Sequence, residues 1–278
     1  MTNILPENNL IFAAAPNGAY KTKADHPKIP LRDEELVAFG VNAQKLGVNM
    51  LHLHIRDNQN NHSLDANHYL DLLTTISQKL LEPMALQATS EAANMFGVEA
   101  QIAMIETVKP EFVSIAIREI ARAGEERLRT FFAGLKHDRV NPQLIIYNST
   151  DAEMYLDYLT NGSLVGQKFP LLYVVGRNSV DQKNCLKGLQ EVRGLTQEKA
   201  KSWMVCGFEH LENLVCEYAL AHGGHIRIGF ENNLYQSNGR QAADNEARIE
   251  EIAKLIQAQG REIASHEVAK NLLTPDWE

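Results

Sequence analysis

Short apolar runs rich in branched residues recur along the chain. Each is followed by a stretch in which apolar residues return every three or four positions. The runs predict strands at Ile11–Ala15, Val48–Ile55, Met84–Thr89, Glu111–Ile117, Gln143–Tyr147, Pro170–Val175, Ser202–Cys206 and His225–Phe230. The helical spacing between them is clear in Leu36, Phe39, Ala43 and Leu46, in Tyr69, Leu72, Leu73, Ile76 and Leu80, and in Ile249, Ile252, Leu255 and Ile256. Gly47 stands where the first of these helices should stop. Gly188, Arg193 and Gly194 interrupt the pattern between the sixth and seventh strands. Strand starts fall roughly 25–35 residues apart, the length of one β-α unit. Eight such units predict an α/β fold, a single closed (β/α)₈ TIM barrel, with an open doubly wound sheet as the rival. No low-complexity tract or linker divides the sequence, so residues 1–278 are expected to form one barrel domain with a C-terminal helical extension.

In a barrel, chemistry gathers at the C-terminal ends of the strands. Those ends carry Asn17 and Gly18; His52, His54 and Arg56; Gln87, Thr89 and Ser90; Ser114 and Arg118; Tyr147 and Asn148; Arg177; Glu209 and His210; and Arg227, Glu231 and Asn232. His52 and His54 are two apart on a strand, so both imidazoles face one side. Arg227, Gly229 and Glu231 alternate at the end of the eighth strand and are expected to share a face. In a closed barrel, strands two and eight flank strand one, which brings Glu231 toward the two histidines. Two histidines and one carboxylate with open positions suit catalytic Zn²⁺, and also Fe²⁺ or Mn²⁺. The structural alternatives are a hydrogen-bonded histidine pair and a rim ion pair from Glu231 to Arg227 or Arg56.

Composition narrows the classes. Lys and Arg total 27 against 35 Asp and Glu, a net charge of −8, which argues against a nucleic-acid binder. Cys185, Cys206 and Cys216 form no C-x-x-C pair, so no disulfide framework is expected. No apolar run approaches the ~18–20 residues of a membrane span, and no signal-peptide order is seen, so a cytoplasmic protein without membrane contact is expected. No G-x-G-x-x-G or phosphate loop points to a nucleotide cofactor.

Three ordered segments resemble the β-keto acid cleavage enzymes, the family typified by 3-keto-5-aminohexanoate cleavage. These are Pro16-Asn-Gly-Ala19 with Pro27 and Ile29-Pro30, His52-Leu-His-Ile-Arg-Asp57 with Ser63 and Asp65, and Gly223-Gly-His-Ile-Arg-Ile-Gly-Phe-Glu231. The resemblance runs from about residue 11 to 235. It implies one Zn²⁺ per chain on His52, His54 and Glu231, and a homo-oligomer, dimer or tetramer. It also implies acyl exchange between a β-keto acid and acetyl-CoA as co-substrate, giving acetoacetate and a new acyl-CoA. Arg227 takes the place of the family's active-site arginine and Thr89 that of a substrate-contacting hydroxyl. Asn17, Ser90 and Ser114 are further substrate-binding candidates at strand ends.

The chain also departs from the pattern. Asn232 stands where the family has a proton-transferring aspartate, and an amide cannot act as a carboxylate base. By the family's route, cleavage should be slow here, and aspartate at 232 should raise it. Ile145 replaces a glutamate of the fifth strand, Ala116 falls near a threonine, and Thr89-Ser-Glu-Ala92 replaces a turn ending in paired glycines. Two alternatives follow: a catalytically weakened metal- and ligand-binding barrel, and a metal-dependent hydrolase. The hydrolases with an H-x-H on strand one and an aspartate after the last strand match less well.

Overall fold

The computed structural model describes residues 8–177 and 181–277. Eight parallel strands close a barrel, which excludes the open sheet. They are β1 (Phe12–Ala14), β2 (Met50–Leu53), β3 (Ala85–Thr89), β4 (Phe112–Ala116), β5 (Asn141–Ile146), β6 (Phe169–Val175), β7 (Ala200–Gly207) and β8 (His225–Ile228). Each pairs with its chain neighbours, and β8 closes on β1 with Arg227 opposite Ala13. The helices that follow are α1 (Asp33–Lys45), α2 (Ala66–Lys79), α3 (Val98–Val108), α4 (Glu125–Asp138), α5 (Ser149–Thr160), α6 (Gln182–Thr196), α7 (Leu211–Ala221), α8 (Asn245–Ala258) and α9 (His266–Leu273). Every predicted strand is present.

Strand alternation sorts the side chains into two apolar clusters. Met50 joins Ile11, Ala13, Ala85, Phe112, Leu172 and Met204 inside the barrel, whereas Leu51 and Leu53 pack outward among the helices. His52 continues the inward row begun by Met50. Arg227 lies inward between outward Ile226 and Ile228, by the same period of two. Ala269 and Leu273 of α9 join the interior cluster and floor the barrel at its N-terminal end. The other mouth is left for the polar residues.

Helix α6 forms despite its glycines. Its Asp181 cap accepts from the Lys183 and Asn184 amides, and Leu189 and Val192 are buried. Gly188 and Gly194 face open space and cost about 1 kcal/mol each relative to alanine. Burying Leu189 and Val192 contributes roughly 1.5–3 kcal/mol each, so the helix survives.

Strand β8 is shorter than the pattern predicts. It ends at Ile228, because Gly229 turns away at φ +134°. A Cβ there would stand 2.4 Å from the Ala15 carbonyl oxygen, so the turn requires glycine. Glu231 therefore reaches the barrel mouth from a turn and not by strand alternation. Among the bonds that secure that turn, Glu231 N–H donates to Ala15 O at 3.1 Å and Gly229 N–H to Glu212 Oε1 at 3.0 Å. Glu212 is wholly buried with Arg248, and its second oxygen accepts from Arg248 and from Asn233 Nδ2. Burial pushes the Glu212 carboxyl up, and Arg248 with these donors opposes that.

Candidate active site

The three sequence segments meet at the C-terminal mouth of the barrel. Asn17 Nδ2 donates to the His54 carbonyl at 2.9 Å, and Arg56 donates to the Gly18 and Lys21 carbonyls. Lys21 Nζ donates to the Glu231 carbonyl at 2.7 Å. Gly18, at φ +65°, lies against the Glu231 side chain; a Cβ there would come within 2.6 Å of Glu231 Cγ. The opening segment thus holds the H-x-H strand and the Glu231 turn together.

His52 Nε2 and His54 Nε2 lie 3.1 Å apart, and Glu231 Oε2 is 3.4 and 3.5 Å from them. No ordinary hydrogen bond satisfies that buried carboxylate oxygen. Gln87 settles the state of His52. The Gln87 amide nitrogen donates to Gln143 Oε1 at 3.0 Å, leaving Gln87 Oε1 to accept from His52 Nδ1 at 2.8 Å. A proton on Nδ1 leaves the Nε2 lone pair of a neutral imidazole facing the cluster. Burial, Arg227 and His54 all push the His52 pKa well below its ordinary value, so the ring is neutral at pH 7. Burial alone would raise Glu231, but the Arg227 guanidinium holds it well below the usual carboxylate range. Three donor atoms thus converge with one negative charge and an oxygen that lacks a partner. The set fits a divalent cation.

Arg227 Nη2 donates to Glu231 Oε1 at 3.1 Å and contacts Cys206 Sγ at 3.4 Å. Its Nε and Nη1 are buried and make no hydrogen bond. Arg227 lines the pocket over the three donor atoms, as do His52, Thr89, Ser114 and Glu231. Ala116, Ile145, Val174 and Phe208 form its apolar side. Thr89 Oγ1 accepts from Ser114 Oγ at 3.0 Å and from the Glu91 amide at 3.2 Å, which leaves its own proton to donate.

The other candidates do not face this pocket. Asn17 is spent on the His54 carbonyl and on the Gly18 amide. Ser90 Oγ donates to the Ser114 carbonyl at 3.2 Å. Asn232 is wholly buried, and neither polar atom of its amide is bonded. Gln87 and Glu91 are site residues that were not singled out by motif. Gln87 sits beside His52 in strand register, which was a usable signal. Glu91 follows β3 in a loop where Ala93 and Asn94 both take positive φ, and no periodicity reaches it. Asn60 takes φ 64°, a left-handed turn conformation that asparagine tolerates.

A family model described as beta-keto acid cleavage enzyme matches residues 9–274. The 3-keto-5-aminohexanoate cleavage enzyme of Fusobacterium nucleatum is 24% identical over 272 residues, covering 95% of this chain and 97% of its own. The 3-oxoadipate:acetyl-CoA acetyltransferase of Cupriavidus necator is 21% identical, covering 95% and 94%. Among solved structures, apo ObcA superposes with a TM-score of 0.67 at 13% identity, over 90% of this chain and 66% of that one. That last likeness shows the fold alone.

Proposed function

The chain belongs to the β-keto acid cleavage enzyme family, and from that premise we propose that it exchanges acyl groups between a β-keto acid and acetyl-CoA. The products are acetoacetate and a new acyl-CoA. The enzyme is read as zinc-dependent, cytoplasmic and homo-oligomeric. Among the described residues no helix is long and apolar enough to cross a membrane. The observation that carries the reading is the convergence of His52, His54 and Glu231 beneath an arginine with two unbonded buried donors.

Zinc held by His52, His54 and Glu231 would supply Lewis acidity toward the ketone oxygen of the substrate. Arg227 Nη1, buried and unbonded, would bind the substrate carboxylate through a charge-assisted hydrogen bond. The Thr89 hydroxyl donates to a second oxygen of the substrate, with Ser114 holding it in place. Ala116, Ile145, Val174 and Phe208 receive the acyl chain and exclude water. The carbon between ketone and carboxylate loses a proton and attacks the thioester carbonyl, releasing CoA thiolate. The thiolate then attacks the original ketone carbon; the bond from that carbon to C2 breaks and acetoacetate leaves. A cleft of about 400 Å³ shares Tyr147, Val174 and Arg177 with the pocket and gives room for the thioester arm. Asn232, buried off the pocket with both amide atoms unbonded, is proposed to hold a water.

The test is a panel of β-keto acids with acetyl-CoA and metal-loaded protein, read by mass spectrometry for new acyl-CoA species. A new acyl-CoA from at least one acid supports the proposal. Release of free CoA alone would indicate a hydrolase. A protein that binds metal and acid with no turnover would indicate the weakened barrel.

A further inference from the structure

Position 232 carries an amide and position 145 an alkyl group, and neither can act as a base. A carboxylate lines the pocket nonetheless, from a different element. Glu91, two residues past β3, has a side chain only 15% exposed. Its Oε1 accepts from Arg177 Nη2 at 2.9 Å, and its Oε2 faces His54 Nε2 at 3.9 Å, beyond hydrogen-bond range. The backbone is fixed on both sides. The Glu91 amide donates to Thr89 Oγ1, its carbonyl accepts from His62 Nε2 at 2.8 Å, and the Ala92 amide donates to Glu119. Arg177 is itself braced by the Tyr147 hydroxyl at 3.0 Å and by the rings of Tyr20 and Tyr147. One oxygen is thus anchored, and the other is turned toward the place where the three donor atoms converge.

We propose that Glu91 is the catalytic base of this enzyme, taking the proton from the carbon between ketone and carboxylate of the β-keto acid. The inference rests on the acyl-exchange reading above. The C–H bond breaks, its proton passes to Glu91 Oε2, and its electron pair spreads into the adjacent ketone. After exchange the same carboxyl returns the proton to C2 of acetoacetate, so the cycle closes without a further reactant. The remaining groups are unsuited. Glu231 is held between Arg227 and the histidines, and the Cys206 thiol is behind Arg227 with burial pushing it up to about 11. Burial also pushes the Tyr147 phenol up. Among the described residues that line the pocket, Glu91 is the carboxylate left for the task.

The test follows exchange of the C2 hydrogens of a turned-over β-keto acid in D₂O by proton NMR, without acetyl-CoA. Glu91→Gln should slow enzyme-dependent exchange by about 10²–10⁴-fold. Its bound metal, its melting temperature and the Kd for the acid should stay near wild type. Glu91→Asp, which retains a carboxylate on a shorter stem, should recover part of the rate. Exchange by Glu91→Gln at more than a tenth of the wild-type rate would overturn the assignment while leaving acyl exchange intact. Loss of metal in that variant would also overturn it, by making Glu91 a ligand. Wild-type protein that supports neither exchange nor acyl transfer would remove both the assignment and the reading beneath it.

Discussion

Replacing Arg227 by lysine keeps the charge and removes the planar fork. Two of the guanidinium nitrogens, Nε and Nη1, are buried without partners, whereas Nη2 is occupied by Glu231 at 3.1 Å. A buried donor without an acceptor is destabilising in the free protein and is relieved when an anion arrives. Each charge-assisted bond to a carboxylate contributes ~1.5–3 kcal/mol. A lysine ammonium on a shorter stem cannot keep both the Glu231 bond and the bond to the substrate carboxylate, so kcat/KM should fall roughly 10- to 150-fold, at about 1.4 kcal/mol per factor of ten. Arg227→Met should do worse and differently. It strips Glu231 of its buried partner, a loss of ~3–5 kcal/mol that calorimetry should register in the folded protein itself. The assay is steady-state acetoacetate formation together with calorimetric titration of the β-keto acid. A Lys variant within threefold of wild type in kcat/KM and Kd would refute the placement of the substrate carboxylate on Arg227.

Chelator-free protein should carry close to one divalent metal per chain by elemental analysis, and His54→Ala should lose most of it; full occupancy in that variant would remove His54 from the site. Asn232→Asp would put a carboxylate where the amide is wholly buried and unbonded, next to Glu231. It is expected to lower Tm by roughly 6 °C or more without raising C2–H exchange. A tenfold rise would instead put the proton step at position 232. Arg248→Met leaves the Glu212 carboxylate buried without its cation, and a loss of ~3–5 kcal/mol should lower Tm by roughly 6–20 °C. A change under about 2 °C would show that the pair does not support the Glu231 turn.

The barrel was legible because its signal is a period. Met50 and His52 enter the barrel and Leu51 and Leu53 leave it, as the alternation of the second strand dictates. The histidine pair followed directly. Glu231 was read as the third donor for partly the wrong reason. Alternation would have ended with the strand at Ile228, and the residue arrives through a turn that Gly229 alone permits and that Glu212 secures. Motif resemblance captured this where periodicity could not. The opening segment was legible as a motif but not as a device. Asn17 serves as a tie to the His54 carbonyl, a role set by contacts 37 residues away. Glu91 was visible only as a departure, since a loop shaped by positive φ at Ala93 and Asn94 has no repeat to extrapolate. Its pairing with Arg177 spans 86 residues and arises only when the barrel closes.

Acyl exchange predicts where every carbon goes, and isotope tracing reads this directly. Metal-loaded protein is supplied with an accepted β-keto acid and acetyl-CoA carrying carbon-13 in both acetyl carbons. The products are then resolved by carbon NMR and mass spectrometry. The account predicts label in the ketone and methyl carbons of acetoacetate and none in the new acyl-CoA, with the two products formed in equal amounts. Unlabelled acetoacetate, or label released as free acetate with no new acyl-CoA, would contradict it.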